Sequence, residues 1–276
     1  MRWGRGLLPK RGVDEACGHG VRRAFWRTSE PNLRAQAATV GRTSAPAGKR
    51  PRPVQDPPAN IERDMKKGLF ITFEGNEGSG KSTQILLLYR ELKRRHLPVI
   101  LTREPGGTRT GDEIRRVLLD GRNHAMTPLC ETFLYMASRA QLTAEVILPA
   151  LKKGQIVLCD RWLDATVAYQ GHAGGQDMRW IRDIGRKATQ GVSPNLTLFL
   201  DLPVAVGLKR RKKARHLDRI ERKALAYHEK VRKGYLRIAA AEPRRFKRLP
   251  VRESDSVQTV YEKVKRMALR ALGKRS

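Results

Sequence analysis

Short apolar runs alternate with longer stretches of helical spacing along three quarters of this chain. The runs at residues 69–74, 99–103, 155–160 and 196–201, with a weaker one at 246–251, read as β-strands. Between them, apolar positions recur at helical intervals over residues 82–95, 111–119, 128–152, 178–189, 204–213 and 218–241, and a last helical stretch covers 256–272. The strands are almost continuously apolar rather than alternating, which is the pattern of strands covered on both faces. Strand and helix in turn therefore predict an α/β fold, a three-layer sandwich with a five-stranded parallel sheet and helices on both faces. The ligand site of such a sheet lies outside the carboxyl ends of its strands. No internal repeat is visible.

Residues 1–64 show neither period. Their punctuation by Pro46, Pro51, Pro53, Pro57 and Pro58, with Gly and Arg scattered between, is that of a disordered segment. The texture changes at Met65-Lys66-Lys67-Gly68, directly before the first strand, so one domain is expected over residues 65–276. Met65 reads as the natural start, with 1–64 an upstream extension. The rival reading, an Arg-rich transit peptide, is opposed by Asp14, Glu15, Glu30 and Asp56.

Composition narrows the partners. The 276 residues carry a formal charge of +30, which points to anions of some kind. The charge is uneven: residues 1–64 hold +7, 65–208 hold +6 and 209–276 hold +17, so the central part is close to an ordinary protein. No run approaches the roughly 18–20 apolar residues of a membrane helix, and the first residues break off before a signal-peptide core forms. Cys17, Cys130 and Cys159 have neither zinc spacing nor the even count of a disulfide framework, and suit a reducing cytoplasm.

The first strand runs into Gly75-Asn76-Glu77-Gly78-Ser79-Gly80-Lys81-Ser82-Thr83, followed by an apolar helix start. This fits the phosphate-loop pattern, and each part has a task. Glycines let successive backbone N–H groups face phosphate oxygens, Lys81 reaches the β and γ phosphates, and the Ser82 hydroxyl ligates Mg²⁺. The following helix adds its positive end. A phosphate loop does not by itself name the reaction, because motors, switches and kinases share it.

Two other strands end in charged residues. The second closes in Arg103-Glu104-Pro105-Gly106-Gly107-Thr108 and the third in Asp160-Arg161-Trp162. Asp160 suits an outer-shell Mg²⁺ contact, with Glu104 as a further candidate partly through water, while Arg103 and Arg161 suit phosphate. Tyr135 and Arg139 share a helix face, four residues apart. On periodicity alone that pair reads as core packing plus a solvated arginine, or as an aromatic plate and a guanidinium beside one ligand.

Residues 68–272 resemble the thymidylate kinase family, whose members phosphorylate dTMP. The resemblance rests on the phosphate loop with an acid inside it (Glu77), Arg103-Glu104-Pro105-Gly106-Gly107-Thr108, Ser138-Arg139-Ala140-Gln141, Asp160-Arg161 followed by Ala168-Tyr169-Gln170-Gly171, and Leu217-Asp218-Arg219-Ile220-Glu221. It implies a P-loop NTPase-type sandwich with a mobile basic lid, about residues 209–219. It further implies Glu77 on the sugar 3′-hydroxyl, Tyr135 stacked on thymine and Arg139 on a base carbonyl. Thr166 and Gln170 would contact the base, Tyr169 would lie near the deoxyribose, and Arg115 would add a base or phosphate contact. Arg161 would hold the acceptor phosphate with help from Arg103.

None of the variable loop residues Asn76, Glu77, Gly78 and Ser79 is basic. Family members of that type draw catalytic positive charge from the lid, here Lys209-Arg210-Arg211-Lys212-Lys213-Ala214-Arg215-His216, with Arg210 and Arg215 as candidates. Three positions depart from the family's usual pattern: Trp162 after Asp160-Arg161, Asn195 in place of the common Asp, and Tyr135 in place of Phe. The expectation is a Mg²⁺-dependent, ATP-using dTMP kinase acting by direct in-line transfer, cytoplasmic and homodimeric, with neither membrane nor specific nucleic-acid partner. The rivals are another P-loop nucleoside or nucleoside-monophosphate kinase, a nucleic-acid-binding ATPase using the basic tail, and a P-loop protein that only binds nucleotide.

Overall fold

The computed structural model describes residues 68–212 and 217–273. The expected extension at 1–64, the start at Met65 and the lid residues 213–216, Arg215 among them, lie outside the described residues.

Strand β1 (Leu69–Glu74) is buried at every position, so it can only be a central strand covered on both faces. It is flanked by β3 (Ile156–Asp160) and β4 (Leu196–Asp201), with β2 (Val99–Arg103) outside β3 and β5 (Phe246–Pro250) outside β4. All four pairings are parallel, in registers such as Leu69 opposite Ile156 and Thr197 opposite Phe246. The order β2-β3-β1-β4-β5 is that of a doubly wound sheet, and the chain leaves β1 and β3 toward opposite edges, which opens a crevice at their carboxyl ends. Glu74 and Asp160 are the last residues of those two strands.

The helices are α1 (Lys81–Arg94), α2 (Arg109–Leu119), α3 (Pro128–Leu142), α4 (Leu148–Lys152), α5 (Leu163–Thr166), α6 (Met178–Ala188), α7 (Val204–Lys212), α8 (Leu225–Ala241) and α9 (Val257–Gly273). Leu69, Ile71 and Phe73 point to one face of the sheet and pack with Ile85, Leu88 and Leu92 of α1 and Val260 and Val264 of α9. Phe70 points to the other and packs with Leu142, Leu148 and Trp162. On that same side Phe199 and Phe246 meet Val231 and Tyr235 of α8. Period-two geometry sends Leu69, Ile71 and Phe73 to one face and Phe70, Thr72 and Glu74 to the other, and both faces are covered.

Three elements differ from the sequence expectation. The single helix expected over 128–152 is interrupted by a π-helical turn, Thr143–Ile147, before α4. Pro149 cannot donate to the fourth preceding carbonyl, and Thr143 Oγ1 donates to Arg139 O at 2.7 Å, so the regular ladder is broken there. A second π segment, Val167–Ala173, continues α5 where no helix was expected. The helix expected from residue 218 begins only at Leu225, because the Asp218 carboxylate accepts from the N–H groups of Ile220 and Glu221, both at 2.9 Å, and holds a turn.

Leu88 is fully enclosed between α1 and the sheet. Its truncation in Leu88→Ala is expected to lower unfolding free energy by about 2–5 kcal/mol, read from urea denaturation; a loss below 1 kcal/mol would contradict this packing.

Candidate active site

The phosphate loop leaves β1 at Glu74 and enters α1 at Lys81. Gly75 takes φ +142°, and a Cβ there would stand 2.5 Å from the Leu200 carbonyl oxygen. At Gly78, with φ +70°, a Cβ would overlap the Gly207 carbonyl of α7. Both positions therefore require glycine on conformation and on space. Lys81 Nζ turns back into the loop and donates to Gly75 O and Asn76 O, each at 2.8 Å. Burial, reinforced by the nearby Arg161 charge, pushes the Lys81 ammonium down to about 8, although Glu77, Asp160 and Glu74 pull the other way.

Ser82 Oγ, at the second position of α1, donates to Asp160 Oδ2 at 2.7 Å. A serine hydroxyl and a carboxylate at the mouth of a phosphate loop form a hard-oxygen pair of the kind that takes Mg²⁺ together with nucleotide phosphates and water. No cluster of three or more His, Cys, Asp or Glu is found among the described residues, so any such ion would rely on phosphate and water for its remaining ligands. Glu104, expected to join it, is instead engaged by Arg139.

Arg161 follows Asp160 and takes a left-handed backbone, φ +73°. Its Nη2 donates to Glu77 Oε1 at 2.6 Å, its Nη1 donates to Gly75 O at 3.1 Å and Tyr235 Oη at 3.2 Å, and its guanidinium lies 5.0 Å from the Tyr169 ring centre. Tyr169 Oη donates to the same Glu77 oxygen at 2.9 Å. Burial alone would raise Glu77, but Arg161, Lys81 and the Tyr169 hydroxyl outweigh it and hold the carboxyl down to about 2. Glu77 is thus a half-buried, ionised acceptor where the phosphate loop meets the neighbouring wall.

That wall is built by α3 and the α5–π segment. Arg139 is 1% exposed and donates from Nε and Nη2 to Glu104 Oε2 at 2.9 and 2.7 Å. Nη2 also reaches Thr166 Oγ1 at 3.0 Å, and the guanidinium stands 5.6 Å from the Trp162 ring centre. The solvated-arginine reading of the Tyr135 and Arg139 pair is therefore wrong for this fold. Gln170 Nε2 donates to Glu131 Oε1 at 2.8 Å, and Glu131 also pairs with Arg219. Arg115 Nη1 donates to Pro105 O at 2.8 Å, and Arg103 Nη2 to Asp112 Oδ1 at 3.4 Å, which places both arginines about the 103–108 turn. Tyr135 is half-buried on the same helix face as Glu131 and Arg139.

The lid's described end is anchored. Arg211 pairs with Glu221 at 2.6 Å, and Arg219 Nε donates to Leu118 O at 2.9 Å, so Leu217-Asp218-Arg219-Ile220-Glu221 fastens the lid's return to α2 and α3. Arg210 is exposed and donates to Glu253 O at 3.3 Å. The two unusual residues are also accounted for: Trp162 meets Phe70 edge-on at 5.2 Å, and Asn195 Oδ1 accepts from Phe70 N–H at 2.8 Å, completing the start of β1.

The family profile described as thymidylate kinase matches residues 73–264. The chain belongs to the thymidylate kinase family. Among relatives, a thymidylate kinase of Geobacter sp. (strain M21) is 48% identical over 216 residues, covering 75% of this chain and 95% of the relative. One from Herpetosiphon aurantiacus is 49% identical over 203 residues, covering 64% and 86%. A crystal structure of thymidylate kinase from Ehrlichia chaffeensis superposes with a TM-score of 0.60 at 29% identity, covering 73% of this chain and 98% of that one.

Sequence reasoning missed Glu74, Tyr235 and Glu131 as parts of this site. Glu74 and Glu131 are fully enclosed acids, and only their position beside a motif residue signals them in the sequence.

The state of Lys81 gives a pH prediction. Triphosphate binds the ammonium form, and that form is lost from the free protein as pH rises through about 8. ATP affinity should therefore fall above pH 8, with net proton uptake on binding. Calorimetry at pH 8.5 in two buffers of different ionisation enthalpy measures this uptake, and identical heats in both would refute it.

Proposed function

We propose that this chain transfers the γ-phosphoryl group of ATP to the phosphate of dTMP, giving ADP and dTDP by direct in-line displacement. Membership of the thymidylate kinase family supports this, and one observation carries it in the structure: Glu77 belongs to the phosphate loop yet is bonded to Arg161 and Tyr169 of the opposite wall. The donor loop and an acceptor pocket thus share a residue, as phosphoryl transfer between two bound nucleotides needs.

On this reading, ionised Glu77 accepts the hydrogen bond of the sugar 3′-hydroxyl, and the Tyr169 ring beside it leaves no room for a ribose 2′-hydroxyl. Tyr135 stacks on the thymine. Arg139, held flat by Glu104 and Thr166, presents a base contact with Thr166 and Gln170, and Arg115 adds a base or phosphate contact. Arg161 and Arg103 hold the acceptor phosphate. The loop from Gly75 to Thr83 wraps the donor phosphates, Lys81 leaves its loop carbonyls for them, and lid residues Arg210 and Arg215 bring charge to the transferring group. Mg²⁺ bound with ATP supplies neutralisation of the β and γ phosphates, and Ser82 and Asp160 are the residues that would hold it, Asp160 through water. Lid closure would exclude water and limit wasteful hydrolysis.

Among the described residues no helix is long and apolar enough to cross a membrane, and with the cysteine usage this supports a cytoplasmic location. A homodimer is supported by an apolar face on α2 and α3, where Val117, Leu129 and Phe133 are 45%, 49% and 51% exposed and Phe133 leans edge-on against Trp180 of α6. A twofold contact through this face is self-complementary.

Purified protein should make dTDP from dTMP and ATP, and Lys81→Ala should lower kcat by about 10²-fold or more, by coupled assay. Selectivity against dUMP rests on one methyl group, so dUMP should be used about 10–200-fold less efficiently. Efficient use of a different monophosphate, with dTMP inert, would overturn the assignment. Phe133→Glu should shift a dimer to monomer in light-scattering chromatography; a dimer unaffected by it would place the interface elsewhere.

A further inference from the structure

Arg161 is held in an arrangement that its own sequence does not favour. A bulky residue with φ +73° occupies a region that side-chain-bearing residues rarely enter, and it persists only when its surroundings fix it. The fixing group is on the adjacent strand. Glu74 Oε1 accepts from the backbone N–H of Trp162, the residue just after Arg161, at 2.7 Å. Glu74 Oε2 accepts from Tyr235 Oη at 2.7 Å, and that same hydroxyl oxygen accepts from Arg161 Nη1 at 3.2 Å. The tyrosine cannot drift, because it is fully buried and stacked on Phe199, ring centres 5.0 Å apart.

We propose that Glu74 is the positioning residue for Arg161: one carboxyl clamps the backbone beyond it and, through Tyr235, its guanidinium, so that Nη2 is delivered to the meeting point of the phosphate loop and acceptor wall. No other described group satisfies the Trp162 N–H, and loss of the carboxyl would leave it and the Tyr235 hydroxyl buried without their acceptor. Burial pushes Glu74 up to about 8, with Arg161 opposing and Asp164 adding to the rise. Hydrogen-bonding length, rather than charge, is then what the site requires of this side chain. Glutamine keeps an oxygen for the Trp162 N–H and places an N–H against Tyr235 Oη, so that the contact with the tyrosine is retained with its direction reversed.

The inference rests on the phosphotransfer reading, and the test separates the two. Rates of dTDP formation in single-turnover assays at high enzyme concentration are compared for Glu74→Ala, Glu74→Gln and Tyr235→Phe, each alone and combined with Arg161→Ala. Glu74→Ala should lower the rate about 10- to 100-fold and Tyr235→Phe about 3- to 10-fold, whereas Glu74→Gln should recover most of the alanine loss. In the Arg161→Ala background neither Glu74→Ala nor Tyr235→Phe should lower the rate further, because the residue they position is gone. Losses that multiply with Arg161→Ala would overturn the proposal, as would a glutamine variant as impaired as alanine. If Glu74→Ala does not fold, Tyr235→Phe against Arg161→Ala carries the same comparison. Wild-type protein that makes no dTDP sinks the phosphotransfer reading itself.

Discussion

The site depends on how one half-buried cation is placed. Arg161 stands at the carboxyl end of the third strand, enclosed by Glu77, Tyr169, Tyr235 and the phosphate loop, and an enclosed guanidinium is stable only where acceptors are already in position. Those acceptors come from the phosphate loop and α8. Satisfying this single charge therefore fixes the distance between the loop that holds a donor and the wall that holds an acceptor. Glu77 is the joint: its oxygen receives both Arg161 and Tyr169, and its low pKa keeps it an acceptor at every physiological pH. The sheet makes this possible by ending β1 and β3 side by side, with Phe73 opposite Asp160.

A second enclosed charge sets the other wall. Arg139 is neutralised by Glu104 from the end of β2, and the 103–108 turn is tied to α3 again where Ser138 Oγ accepts from Gly106 N–H at 3.0 Å. Breaking such a pair from one side leaves an uncompensated charge, so the pair carries far more structural consequence than its net contribution to stability. The same economy explains Glu131, which gathers Gln170, Arg219 and Lys223 and so links the wall to the return of the lid. The acceptor side is a chain of ion pairs, each of which holds one candidate ligand-facing group in place.

What could be read from the sequence follows the range of the interaction. Strands β1 to β4 were legible because their runs are almost wholly apolar, β5 was weaker because Lys247 and Arg248 interrupt it on the exposed side, and the phosphate loop was legible because its glycines and Lys81 lie close together in the chain. Arg139 was ambiguous, since its partner Glu104 is 35 residues away and nothing local distinguishes a buried pair from a solvated face. Glu74 was invisible for the same reason: an acid closing a strand reads as the first polar residue of a loop, and the hydroxyl that gives it meaning is 161 residues on, in α8. The α5–π segment was missed because Val167–Ala173 mixes β-branched, aromatic and glycine residues in a widened turn, with no clean helical period.

The contact between Gly78 and Gly207 constrains the basic segment more than its charge does. Neither glycine tolerates a Cβ: one would strike the Gly207 carbonyl, and the reverse substitution would strike the carbonyl of Glu77. The start of α7 is therefore packed backbone to backbone against the phosphate loop. Beyond it, Arg211 pairs with Glu221, and Arg219 donates to the Leu118 carbonyl at the end of α2. Part of the charge of the basic C-terminal quarter is already matched within the fold, because Arg232 and Arg248 both pair with the buried Asp201 at the end of β4.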